Sequence, residues 1–248
     1  MVAARSSCLT PSAGARSGPV SSITRFADPC PPGPAVRGWL HRPPQPSGDG
    51  IVLAHGAGSN ADAPILIAMT EAMAEAGWTV LRCDLPFRQE RPTGPPHRGA
   101  AERDRVGLRN AAAALRALAP GRLVLGGHSY GGRQASMVAA EAPGLADALL
   151  LLSYPLHPPK KPREARTAHF GALRTPAVFV HGTRDGFGTV AELDAARAGI
   201  PAPTALVVAE GAGHDLGGGA RGRARLTALA AQALDALRTL LGQPVGRP

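Results

Sequence analysis

The chain has 248 residues, a formal charge of +9 and a sequence pI near 10.8, enough for one α/β domain with a large core and no need of a second. Apart from Lys160 and Lys161 the basic residues are arginines scattered along the chain, and the aromatics are two Trp, two Tyr and five Phe, so neither the basic stripe nor the stacking platform of a nucleic-acid binder is present. Cys8, Cys30 and Cys83 form no C-x-x-C pair, which speaks against a disulfide framework or zinc site, and with no apolar h-region after Arg5 and no bilayer-length run the expectation is a cytoplasmic protein without membrane contact.

Residues 1–20 are Ser, Ala, Arg, Gly and Pro with little to bury, and are expected to form a disordered leader before a single domain over residues 21–248. Ser21 to Phe26 and Ala35 to His41 read as two early strands around a Pro-rich turn. Ile51 to Ala54 is a buried strand followed by the loop His55-Gly-Ala-Gly-Ser-Asn60. Pro64 suits the first position of a helix to Glu75, where Ile65, Leu66, Met69 and Met73 recur at helical spacing.

Thr79 to Cys83 is the next strand, ending at Asp84, and residues 85–99 form a Pro- and Arg-rich loop. Ala101 to Leu118 is an amphipathic helix stopped by Pro120-Gly121. The apolar run Leu123 to Leu125 then enters Gly127-His128-Ser129-Tyr130-Gly131 and leaves in a helix-forming stretch. Strand, tight turn and helix around G-x-S-x-G describe a nucleophile elbow, in which a strained serine presents its hydroxyl and the Tyr130 N–H faces a developing oxyanion. In a chain with 31 glycines the pentapeptide alone proves little, and its weight comes from context.

After the elbow come an apolar strand, Ala148 to Leu152, and a connection from Tyr154 to Thr175. The strand Ala177 to Val180 follows, with its tail His181-Gly-Thr-Arg-Asp185. A helix from Ala191 to Ala198, a strand from Thr204 to Val208, the loop Glu210-Gly-Ala-Gly-His214-Asp215 and a helix from Arg223 to Leu241 complete the chain. Near-continuous apolar strands alternating with helices require a mostly parallel sheet covered on both faces, with function on the loops at the strands' carboxyl ends.

Three of those loops supply Ser129, Asp185 and His214, in the order serine, acid, histidine that a hydrolase of this architecture uses. Asp185 would hold the imidazole tautomer and His214 would move the Ser129 proton, with Glu210 and Asp215 as substitutes for the acid. Ala57, with Gly56 beside it, is the expected second oxyanion donor, and Tyr130 the first. His55, His128 and His181 stand next to this group as candidates for touching substrate or tuning the triad, and with Arg88 they are the candidates for a substrate rim. His41, His97, His157 and His169 read as structural or solvent-exposed.

Residues 51–84 also fit a dinucleotide fingerprint, Gly56-x-Gly58-x-x-Ala61 with an acid at Asp84. Pro64 starts the helix after Ala61, where that fingerprint needs the helix already begun, and a dinucleotide site leaves Ser129, Asp185 and His214 without a purpose.

With these residues in place the chain resembles the α/β-hydrolase superfamily from about residue 35 onward. Ala54-His-Gly-Ala-Gly58, Arg82-Cys-Asp-Leu-Pro-Phe87, Gly126-Gly-His-Ser-Tyr-Gly-Gly-Arg133 and Ser153-Tyr-Pro-Leu-His-Pro158 are similar to the small hydrolases related to dienelactone hydrolases. They are similar too to the non-specific-lethal chromatin complex subunit and testis-expressed group. The resemblance implies the core fold, a triad at Ser129, Asp185 and His214, and no cofactor; a true dienelactone hydrolase has a cysteine where this chain has Ser129.

Residues 154–175 are too few for a full cap, which leaves an open site suited to a small acyl substrate. Arg88, Arg91 and Arg98 in one loop and Lys160, Lys161, Arg163 and Arg166 in another suggest anionic substrates, although arginine-rich composition on surface loops gives the same pattern. The two function classes are a serine hydrolase acting on an ester, thioester or amide, and a hydrolase-fold scaffold that only binds a partner.

Overall fold

The structure, a computed structural model, describes residues 21–28, 33–217 and 222–242. The expected leader, Cys8 and Cys30 lie outside them. The strands are β1 (Ser22–Asp28), β2 (Val36–Arg42), β3 (Gly50–Ala54), β4 (Thr79–Asp84), β5 (Leu123–His128), β6 (Ala148–Leu152), β7 (Ala177–Gly182) and β8 (Thr204–Ala209). They form one sheet in the order β1-β2-β4-β3-β5-β6-β7-β8. β1 and β2 run antiparallel to their neighbours, and the remaining pairs are parallel.

The central strands are apolar throughout because both faces are covered. Val52, Ala54, Leu123, Leu125, Leu149, Leu151 and Phe179 point into one core, and Ile51, Leu53, Val124, Leu150, Leu152, Val178 and Val180 into the other. α1 (Pro64–Glu75) and α6 (Arg223–Leu240) cover the second face; α3 (Ala100–Leu118), α4 (Tyr130–Glu141) and Leu193 of α5 (Val190–Arg197) cover the first. Each Leu, Ile, Val or Phe fully buried this way contributes about 1.5–3 kcal/mol. α1 starts on Pro64, as its fixed φ favours. Thr189 and Glu192 close a capping box at the start of α5.

The expected loop 85–99 is corrected at its start, where Pro86–Glu90 forms a short helix, α2. Five residues are too few to show a helical period, and Pro86 at its first position was the only sequence signal. Residues 153–176, between β6 and β7, hold one 3₁₀ turn, Phe170–Ala172, and no cap. No helix among the described residues is long and apolar enough to cross a membrane.

Register places the site. Ala54 pairs with Gly127, so the next residues out, His55-Gly56 and His128-Ser129, leave the sheet side by side. His128 pairs with Leu152, Leu152 with Val180, and Gly182 with Ala209. The carboxyl ends of β3, β5, β6, β7 and β8 therefore open on one edge.

Candidate active site

Ser129 sits between β5 and α4 with φ 51° and ψ −114°, a conformation that costs a non-glycine residue about 1–3 kcal/mol. The turn is held by the Ser129 N–H donating to Leu152 O at 2.8 Å and the Arg133 N–H to Ser129 O at 2.9 Å. Its glycines are there for space: a Cβ on Gly127 would lie 2.3 Å from Ala54 O, and one on Gly131 2.6 Å from Ala54 O and His55 O. Close passage of the elbow over β3 is what the G-x-S-x-G spacing permits.

Three of the expected residues come together at this edge. His214, in the loop after β8, has Nε2 2.8 Å from Ser129 Oγ, while its Nδ1 lies 2.8 Å from Asp185 Oδ2 and 3.0 Å from Oδ1. A carboxylate can only accept, so Nδ1 carries the proton and Nε2 presents its lone pair to the serine. Asp185 has a fully buried side chain. Burial acts to raise its pKa, but the His214 hydrogen bond and charge, the Phe187 N–H (2.8 Å to Oδ1) and His181 outweigh it and hold it below the usual carboxylate range. Glu210 and Asp215 are exposed, and Asp215 caps its own turn through the Gly217 N–H at 3.0 Å.

Gly56 backs directly onto the serine: a Cβ there would lie 3.0 Å from His128 Nδ1 and 3.5 Å from Ser129 Cβ. The Gly56 carbonyl accepts from His55 Nδ1–H at 2.8 Å and from the Ser59 N–H at 3.1 Å. In a trans peptide the next N–H points the opposite way, so these two bonds fix the direction of the Ala57 N–H. Tyr130 opens α4, where first-turn N–H groups lack an intrahelical acceptor.

The four residues expected at a substrate rim are placed otherwise. His55 is fully buried, donating to Gly56 O and accepting the Leu85 N–H at 3.1 Å. Its pKa is lowered, chiefly by burial. His181 is equally buried; its Nε2–H donates to Gly188 O at 2.8 Å, and Nδ1 stands 3.9 Å from Asp185 Oδ2. His128 donates from Nε2 to His214 O at 2.8 Å, and burial pushes its pKa down to about 4. Arg88 is buried, its guanidinium donating to Ser59 O (2.6 Å), Gly94 O (2.8 Å), Arg91 O (3.0 Å) and Ala57 O (3.1 Å). The rim assignment is therefore corrected for His55, His181 and Arg88, which are buried behind the site instead of facing solvent, while part-buried His128 lies against His214 and His181 against Asp185.

The remaining histidines are engaged locally. His41 accepts from Arg82 Nε at 3.0 Å, His169 bonds Ser136 at 2.8 Å, His157 bonds Pro158 O at 2.8 Å, and exposed His97 bonds Arg98 O at 2.8 Å.

Asp84 accepts the Ala61 N–H at 2.7 Å and Ala61 precedes α1, so the residues of the dinucleotide fingerprint are occupied with one another. Cys83 is buried and its thiol is pushed up to about 12 by burial.

Two contributors went unread in the sequence. Phe187 stacks on His214, ring centroids 4.2 Å apart at 30°. Asp104, fully buried in α3, accepts Tyr130 Oη–H at 2.7 Å and the Phe87 N–H at 3.0 Å, tying the elbow to α2. Its signal was an acid on the apolar face of α3, one turn from Leu108.

Residues 48–241 match the model of a family described as an alpha/beta hydrolase domain. Among solved structures, dienelactone hydrolase from Anabaena variabilis superposes with a TM-score of 0.69 at 20% identity, covering 88% of this chain and 98% of its own. An alpha-beta serine hydrolase homologue from Coxiella burnetii gives 0.65 at 18%, covering 85% and 95%. A serine hydrolase without lid from Xanthomonas campestris gives 0.60 at 15%, covering 87% and 94%. At these identities the likeness is one of fold.

Proposed function

The chain belongs to the alpha/beta hydrolase family, and from that premise we propose that it is a serine hydrolase working through an acyl-enzyme at Ser129. The observation that carries the proposal is His214, hydrogen-bonded at once to Ser129 Oγ and to the Asp185 carboxylate.

Ser129 Oγ attacks the acyl carbonyl while His214 Nε2 takes its proton; Asp185 keeps Nδ1 protonated and stabilises the imidazolium that forms. The N–H groups of Ala57 and Tyr130 receive the oxyanion. Collapse expels the alcohol, thiol or amine, protonated by His214, and water then repeats the sequence on the acyl-serine. The absence of a cap over residues 153–176 suits small or extended esters and thioesters over long lipids.

A scaffold that kept only the shape would gain nothing from the strained φ of Ser129. Labelling with a fluorophosphonate probe, read by intact mass, tests the reading. The native protein is expected to gain one adduct, and Ser129→Ala and His214→Ala none. A folded native protein that stays unlabelled overturns it.

A further inference from the structure

Two arginines beside the elbow have no role in the chemistry above. Arg133 lies one turn into α4, its N–H on the Ser129 carbonyl, and long helical side chains lean toward their helix's N-terminus. Its charge bears on Tyr130, Tyr154, His169 and Arg166. Tyr154 follows β6 by two residues at the carboxyl edge of the sheet. Arg166 is held beside it, its carbonyl accepting Tyr154 Oη–H at 2.7 Å and its N–H donating to Leu156 O at 2.8 Å. Leu156 in turn packs under Gly188, three residues past Asp185: a Cβ on that glycine would meet Leu156 Cβ at 2.9 Å.

Both arginines are half-buried and meet at Tyr154, whose Oη–H donates to the Arg166 carbonyl and whose hydroxyl is in hydrogen-bond reach of the Arg133 side chain; after burial itself, the Arg133 charge lowers the pKa of Arg166. Like charges drawn together in a sheltered place ordinarily share a carboxylate. Here every Asp and Glu of the chain is among the described residues, yet neither arginine has an ion-pair partner among them. Glu164, the acid that bears on Arg166, is held by Lys161 at 2.9 Å.

His169, the other titratable group facing Arg133, donates nothing negative. It bonds Ser136 Oγ, and burial and then the Arg133 charge push its pKa down to about 4. The Nε of Arg133 is fully sheltered with no hydrogen-bond partner. A buried N–H left without an acceptor costs about 1–3 kcal/mol until something accepts from it.

We infer that Arg133 and Arg166 form an oxyanion subsite on the flank of the elbow, and that the substrate carries a carboxylate or phosphate group bound between them. The inference rests on Ser129 being the nucleophile only for its consequence in catalysis; the subsite itself is a binding site. It shares Arg166 with the basic rim read in the sequence and departs from the rest of it: Arg88 is taken up by carbonyls, and Arg91, Arg98, Lys160, Lys161 and Arg163 are exposed. Planar guanidiniums suit a two-oxygen acceptor, held bidentately.

The experiment compares 4-nitrophenyl hemiadipate with 4-nitrophenyl hexanoate, equal in acyl length and different in terminal charge, at low salt. The native protein is expected to favour the hemiadipate in kcat/KM by tenfold or more. Arg133→Gln and Arg166→Gln should each bring that ratio toward one, whereas a merely structural role would lower both substrates together and leave the ratio in place. A native ratio near one, or a ratio unmoved in both variants, overturns the inference.

Adipate and inorganic phosphate are tested separately as ligands that raise Tm, which distinguishes carboxylate from phosphate and needs no turnover. Stabilisation by either that is lost in Arg133→Gln supports the subsite, and stabilisation by neither overturns it. Fluorophosphonate labelling of the same preparations separates failure of the subsite from failure of the hydrolase reading.

Discussion

His128 Nε2 donates to the main-chain carbonyl of His214 at 2.8 Å, so the residue before the elbow serine holds the backbone of the histidine that faces it. Two loops 85 residues apart in sequence are thereby fixed at the point where a proton is proposed to move. His128→Leu removes the donor and is expected to lower kcat about 10- to 100-fold with little change in KM, since a small misplacement of a base is costly. His128→Gln keeps an N–H at nearly the same reach and should recover most of the loss. Equal defects in the two variants would show that the ring's packing matters instead of its hydrogen bond.

Asp185 accepts both contacts from His214 Nδ1. In Asp185→Asn the amide keeps the shape but offers an N–H toward Nδ1, which favours the tautomer whose Nε2 already carries a proton. Such a histidine cannot take one from Ser129. The expected result is a fall in kcat of about 10⁴-fold with the fold intact, measured against an activated ester. A loss of tenfold or less would mean that the acid is supplied from elsewhere.

The elbow, the order of the three residues and the parallel sheet were legible because they rest on local signals: apolar runs, glycine spacing and strand-end loops. The rim was not, because position beside a strand end does not say which way a side chain turns. His181 shows this: the apolar run stops at Val180, but β7 continues to Gly182, so the histidine is a strand residue facing the core and not a loop residue facing substrate. Arg88 was read as one of several loop arginines, and α2 turns it inward onto four carbonyls that no sequence pattern encodes. Arg133 looked like the tail of a motif. Only the folded chain shows that no carboxylate reaches it.

Arg88 bridges the loop after β3, through Ala57 O and Ser59 O, to the loop after α2, through Arg91 O and Gly94 O. Arg88→Met keeps much of the volume and leaves four carbonyls short of a donor, and is expected to cost about 2–4 kcal/mol in urea unfolding. Because Ala57 is the proposed oxyanion donor, kcat should fall as well, by about tenfold. Lysine should restore little, as an ammonium presents a point charge and not a planar fork. An Arg88→Lys protein indistinguishable from native in both measurements would remove the bracing role.

His41, His128 and His169 each have a pKa lowered to about 4, in every case chiefly by burial, with Arg82 adding to the effect at His41 and Arg133 at His169. In the unfolded chain the same groups titrate near 6.5. Between those two values the unfolded chain holds protons that the folded one refuses, so acid favours unfolding. Stability should be level above about pH 7, fall as pH drops from about 6.5 toward about 4, and cease to fall on account of these histidines below that. Asp185 works in the same direction at still lower pH, because its depressed pKa in the folded state makes late protonation a further loss. Each histidine contributes up to about 1.4 kcal/mol per pH unit across its window. His169→Gln, which keeps a donor toward Ser136 and does not titrate, should flatten the slope by one proton in urea melts at pH 7.5, 6, 5 and 4.5. A variant slope equal to the native one would mean that His169 is already protonated in the fold and sets a second cation facing Arg133.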